Sequence, residues 1–320
     1  MLLIMACTGS KTHEPSASDK VDTLVATPAF NGDSAFAFVV AQCDFGPRVP
    51  GSTAHDACAE WIKQQFASFG MLVTEHQATV RSYDGAQMLC RNIISRMNHD
   101  ASSRVLITAH WDSRAWADND PDPDNHHSPV MAANDGASGV AVMLEMARVM
   151  ATMPPATGVD FVCFDVEDQG RPQWADAGDD DDNADFWCLG SRAWAEAAYA
   201  EGYTARFAIN LDMVGGRDAR FAREGYSLRQ AASVVELIWT TASRLGHSML
   251  FTSSTGGYVM DDHVSVSQLA GIPAADIIPN VDYQRSSFGR TWHTIDDTPE
   301  NIDPRVMAAV GETLLQIIYR

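Results

Sequence analysis

Short apolar runs alternate with segments of helical period along most of the chain. Residues 54–69 (AHDACAEWIKQQFASF) set Ala57, Trp61, Ile62, Phe66 and Phe69 at helical spacing, and Gly70 follows as a stop signal. Segments 73–80 and 88–97 read as strands, and so do the runs 104–110, 159–165, 206–214, 249–252 and 274–278. Helix candidates lie between them at 137–151, 190–201 and 227–245. A last helix is expected to start at Asp303-Pro304, an N-cap followed by a proline at the first helical position. Neither a repeat nor a linker breaks residues 31–320, which read as one domain behind a tether, 1–30. Short buried strands alternating with helices predict an α/β fold, a mostly parallel central sheet with helices on both faces.

Composition narrows the functions open to such a domain. Of 320 residues, 46% are apolar, enough for a large core, yet no stretch approaches the ~20 apolar residues of a membrane span. The net charge is −20 with only 22 Lys and Arg, so a phosphate backbone would be repelled and nucleic acid is excluded as a partner. Much of the acidity sits in two runs, DNDPDPDN (118–125) and DDDDN (179–183), both expected to be solvated loops. Either also offers the oxygen ligands that calcium takes.

The N-terminal MLLIMAC is apolar up to Cys7 and polar beyond it, like a bacterial lipobox without its basic leader. The expectation is a periplasmic protein, anchored to the membrane only through lipid on Cys7. Five cysteines remain, Cys43, Cys58, Cys90, Cys163 and Cys188; pairing would leave at least one free, and no C-x-x-C suggests a cysteine zinc site.

Polar residues gather where the strands end. His110 and Asp112 follow 104–110, Asp212 closes 206–212, and FVCFDVEDQG (161–170) runs from a buried strand into Glu167 and Asp168, side by side. Two adjacent carboxylates repel, and burying them is costly without a compensating positive charge. Open α/β sheets bind ligands at the carboxyl ends of their strands, so three strands delivering acids or imidazole to one edge point to a site. Asp135, in a small-residue turn before the helix at 137–151, is by itself a helix cap, and His293, in TWHTIDDTPENID (291–303), is by itself structural. Taken with the strand-end acids they form an oxygen and imidazole set that suits zinc with one coordination position open.

The segments AHWDS, ANDGASGVAVMLEMAR, FDVED, LGSRAWA, NLDMVGG, DDHVSV and TWHTIDDTPENID occur in this order from residue 109 onward. Together they resemble the zinc aminopeptidase-like superfamily and, within it, the bacterial glutaminyl-peptide cyclotransferases. The resemblance covers about residue 35 to the C-terminus. It implies a mixed central sheet, a monomer, and one catalytic zinc per chain held by Asp135, Asp168 and His293. It makes Glu167 the general acid/base, with Asp212 and Asp261 the acids that hydrogen-bond near it. Trp292 and Phe288 would line the substrate pocket, and Trp174, at a looser spacing, would supply a further indole. In two respects the chain departs from the animal cyclases: they carry glutamate where Asp168 stands, and the loop 171–186 is inserted.

The implied reaction closes the N-terminal glutamine of a peptide or protein, and more slowly glutamate, into pyroglutamate. A two-zinc aminopeptidase on the same fold is the main alternative, because His110 and Asp212 could serve a second ion. A non-enzymatic domain that has lost its metal is the third reading. It is the least favoured, since every expected ligand and the base are present.

Overall fold

The computed structural model describes residues 24–175, 183–280 and 286–320. Cys7 and most of the acidic run 179–183 lie outside them. Eight helices and eight strands are found among the described residues. In order they are α1 (Gly32–Cys43), α2 (Thr53–Ser68), β1 (Leu72–Arg81), β2 (Gln87–Met97), β3 (Arg104–His110), α3 (Ala137–Met150), β4 (Gly158–Phe164) and α4 (Leu189–Ala200). There follow β5 (Ala208–Leu211), β6 (Phe221–Arg223), α5 (Gly225–Gln230), α6 (Ala232–Arg244), β7 (Phe251–Thr255), α7 (Asp262–Gln268), β8 (Ala274–Ile277) and α8 (Pro304–Ile318).

The main sheet has the order β1-β2-β4-β3-β5-β8. β1, β2 and β4 pair antiparallel, whereas β4, β3, β5 and β8 run parallel to their neighbours. β6 and β7 form a separate parallel pair. Strand periodicity sorts the core into two layers. Val105, Ile107 and Ala109 of β3, with Val159, Phe161 and Cys163 of β4, face the larger cluster that α1, α2, α3, α6 and α8 complete. Leu106, Val162, Phe164, Ala208 and Ala274 face the other way, onto Trp194, Ala195 and Ala198 of α4 and Val266 of α7. This is the expected sheet with helices on both faces, mixed rather than purely parallel.

Several boundaries differ from the expected ones. The strand expected at 206–214 pairs only over Ala208–Leu211, because the chain turns at Met213 (φ 53°) to bring Asp212 out of the sheet. The helix expected at 227–245 is two helices, broken at Ala231 (φ −145°, ψ 40°). β7 begins at Phe251, later than the expected run at 249–252. Helices α1 and α7 and strand β6 were not anticipated; β6 is three residues long, too short for a period to show. α8 starts as expected, Asp303 accepting the Arg305 N–H and Pro304 occupying the first turn.

One close approach sets the position of a site residue. A Cβ at Gly139 would stand 2.4 Å from the Leu211 carbonyl oxygen and 2.7 Å from the Ala109 methyl, so only glycine lets α3 lie this near β3 and β5. That contact draws the turn ahead of α3, with Asp135, up to the ends of those strands.

Candidate active site

The four parallel strands end on one edge of the sheet, and each contributes there. His110 closes β3, Asp212 follows β5, Ile278 follows β8, and β4 runs on into Glu167 and Asp168. Buried carboxylates arranged this densely need a device to hold each one. Asp112 holds the Glu167–Asp168 turn, accepting both backbone N–H groups (3.1 and 3.2 Å) and the Gln169 amide (3.1 Å). Asp297 does the same for the Asp135 turn, accepting the N–H groups of Asn134 (2.8 Å) and Asp135 (3.0 Å). Val166, Met213 and His293 are all left-handed (φ 53–55°), a conformation that a β-branched residue such as Val166 adopts only under constraint.

Asp135, Asp168 and His293 converge, all buried, with their ligand-type atoms within 4.8 Å of one another. His293 Nε2 lies 3.1 Å from Asp168 Oδ1 and 3.6 Å from Asp135 Oδ2. Asp135 Oδ2 and Asp168 Oδ2 are buried without a hydrogen-bond partner, which is costly unless a cation completes them. The other imidazole nitrogen, Nδ1, lies 3.5 Å from Asp118 Oδ1, the carboxylate contact that commonly fixes the ring of a metal-bound histidine. Two carboxylate oxygens, an imidazole and an orienting acid make a donor set that fits zinc.

Asp118 corrects an expectation. It opens the run DNDPDPDN, yet it is 2% exposed and takes a two-pronged ion pair from the buried Arg114 (2.6 and 2.7 Å). Burial alone would raise its pKa, but the guanidinium, with help from His293, holds the carboxyl well below its usual range. Asp120 is also buried, accepting the N–H groups of Asp122 and Ile295. Asn119 is half-buried and donates to the Trp292 and His293 carbonyls, so only residues 121–124 are exposed as a solvated loop would be. Arg114 continues to the Asp168 carboxylate (3.3 Å) and lies under the Trp187 ring (4.8 Å), placing one fixed cation beside the acids.

Beside this group a cavity of about 50 Å³ opens among Asp135, Glu167, Asp168, Asp212, Asp261 and His293, with Trp187, Val259, Met260, Ile278, Phe288 and Trp292 as its apolar walls. Eight of the nine residues picked out from the sequence therefore meet in one place. Trp174 does not: it is 43% exposed and packs on His127 (4.5 Å) and Trp116 (6.3 Å), outside this lining. The indole that reaches the cavity from that part of the chain is Trp187, its ring nearly parallel to His293. Nothing in the local pattern distinguishes Trp174 from Trp187; only the folded structure does. Trp292 stacks on His293 (3.8 Å) and packs against Phe288 (5.0 Å).

Burial drives the Glu167 carboxyl well above its usual range; His110 pulls it down, but Asp168, Asp262 and Asp261 add to the rise. Such a rise moves the group in the direction that proton-transfer catalysis requires. Asp212 is pushed up to about 7, by burial first and by Asp261 and Asp135 besides, against the pull of His110. Asp261 is anchored from behind by the Asn210 amide (3.0 Å). His110 Nε2 lies 3.1 Å from Asp135 and 3.3 Å from Asp212, and these three form a second set of ligand-type residues. The five cysteines after the N-terminal segment are all buried and unpaired.

Residues 92–318 match the model of peptidase family M28. Among solved structures, the chain is 44% identical to Tannerella forsythia glutaminyl cyclase (TM-score 0.87, covering 92% of this chain and 99% of that one). It is 41% identical to Bacteroides thetaiotaomicron glutaminyl cyclase bound to N-acetylhistamine, with a TM-score of 0.88 and the same coverage. Aminopeptidase YwaD of Bacillus subtilis is 28% identical over 255 residues, 78% of this chain but only 48% of that longer protein.

Proposed function

Because the chain belongs to peptidase family M28, we propose that it is a glutaminyl-peptide cyclotransferase, closing an N-terminal glutamine into pyroglutamate with release of ammonia. The observation that carries this reading is the cavity beside Asp135, Asp168 and His293. At about 50 Å³ it holds one small folded side chain, between indole and phenyl walls and with Glu167 facing in. Similarity to two bacterial glutaminyl cyclases over nearly the whole chain supports the same reading.

The chemistry needs little beyond positioning. Attack by a tethered, well-oriented amine is worth up to ~7–11 kcal/mol over a bimolecular reaction, so folding the substrate back is the larger part of the task. Trp187, Trp292 and Phe288 impose that fold and exclude competing water. A zinc ion held by Asp135, Asp168 and His293 would act as a Lewis acid toward the side-chain carbonyl. An α-amine, with a pKa of roughly 7.7–8.0, is mostly protonated at neutral pH and first gives one proton to solvent; Glu167 then takes a second as the nitrogen attacks, leaving the single N–H of the lactam. A bond forms between the α-nitrogen and the side-chain carbonyl carbon. Glu167 returns the proton to the amide nitrogen as the old C–N bond breaks, and ammonia leaves. Asp212 and Asp261, which line the same cavity, orient Glu167.

The set His110, Asp135 and Asp212 favours a second reading, a two-metal aminopeptidase. A peptide beginning with glutamine separates the two. Cyclisation yields a chain of unchanged length, lighter by one ammonia; aminopeptidase action yields free glutamine and a shortened chain. We expect pyroglutamyl peptide as the sole product, and a mass spectrum of truncated peptide without ammonia would overturn the assignment. Trp292→Ala should lower kcat/KM about a hundredfold, the scale of a small misplacement of the reacting groups. Steady-state ammonia release checks it, and a change below threefold would place the substrate elsewhere.

A further inference from the structure

Glu167 has a buried neighbour that takes no part in the proton transfers of cyclisation. We propose that Cys188 is a positioning residue for Glu167, its thiol fixing one carboxylate oxygen so that the other is presented to the substrate; this rests on the cyclase reading.

Cys188 Sγ donates to Glu167 Oε1 at 3.3 Å, and the side chain is 1% exposed. The backbones are joined as well: the Cys188 N–H donates to the Glu167 carbonyl (2.9 Å) and the Leu189 N–H to that of Val166 (3.1 Å). The two backbones therefore cannot separate without breaking both bonds, which keeps the thiol within reach of the carboxylate. Glu167 Oε2 stands 3.9 Å from His110 Nδ1, beyond hydrogen-bond distance, which leaves Oε1 as the tethered oxygen.

The conformation of Cys188 points the same way. It occupies the N-cap of α4, where serine, threonine, aspartate or asparagine would bond the free N–H groups of the first turn. Instead it is held left-handed (φ 56°, ψ 34°), and its side chain makes no cap bond to the helix. The thiol serves Glu167 rather than the helix. Burial first, and then the charges of Glu167, Asp262 and Asp261, raise its pKa well above the ordinary thiol value, so it remains a protonated donor.

The test compares Cys188→Ala and Cys188→Ser with the wild type on a glutamine-initiated peptide, measuring kcat, KM, bound zinc and melting temperature. Removing the donor should lower kcat about tenfold with KM unchanged, the scale of one lost hydrogen bond to a charged group. Serine, which restores a donor, should recover kcat to within about threefold of wild type. Zinc content should stay at the wild-type level in both. A Cys188→Ala enzyme with wild-type kcat would overturn the proposal, as would equal losses in both variants, which would mean the thiol only fills space. Wild type that releases no ammonia would refute the cyclase reading, whereas active wild type with an unaltered alanine variant refutes only the role of the thiol.

Discussion

Glu167→Gln is expected to lower kcat by about 10³-fold, within the usual span of a lost general acid/base, while fold and metal content remain those of the wild type. Glutamine is isosteric and still accepts the Cys188 thiol through its carbonyl oxygen, but it cannot accept the proton from the α-amine. The carboxylate lines the cavity without belonging to the convergent set Asp135, Asp168 and His293. KM should change little, because the lost interaction belongs to the transition state. Elemental analysis beside the rate measurement decides the matter. A glutamine variant that loses its zinc would show that the adjacent pair has been assigned in the wrong order.

The converse substitution, Asp168→Ala, should empty the site. It removes one of the three proposed ligands and also leaves Arg114 facing His293 without the carboxylate that separates them (3.3 and 3.1 Å from each). A buried guanidinium that has lost this carboxylate raises the cost of binding a metal cation beside it. Zinc measured after dialysis should fall from one per chain to near zero, and ammonia release should fall at least as far as in Glu167→Gln. Retention of a full equivalent of zinc would mean that Asp135 and His293 suffice, or that His110 and Asp212 carry the ion. Two tightly held ions per wild-type chain would instead favour the aminopeptidase reading.

Much of this site was legible in the sequence because its chemistry is local. Glu167 and Asp168 are adjacent, Asp135 sits in a small-residue turn that a long apolar helix follows, and Trp292 and His293 are neighbours. Strand ends could be found because apolar runs stop abruptly, and in a parallel sheet those ends share an edge. The elements without a legible pattern had weaker local signals: β6 is three residues long and α7 seven. The break at Ala231 has neither glycine nor proline to announce it.

Asp118 and Trp187 show where local reading stops. An aspartate in DNDPDPDN has the composition of a solvated loop whether it meets water or Arg114 four residues before it; only the packing of that loop against His293 buries the pair. Trp174 and Trp187 lie on either side of the acidic run 179–183, and only tertiary packing shows which indole lines the cavity. The Cys188 thiol meets Glu167 across 21 positions, through a left-handed residue that no pattern foretells. By itself the sequence determined the fold class, the candidate ligands and the candidate base, because hydrophobic period and motif are written within a few residues. The tertiary structure alone decided which charges are compensated, which aromatic walls the cavity and what holds the base in place. Those depend on contacts between distant segments, which burial and close packing select only once the whole chain has folded.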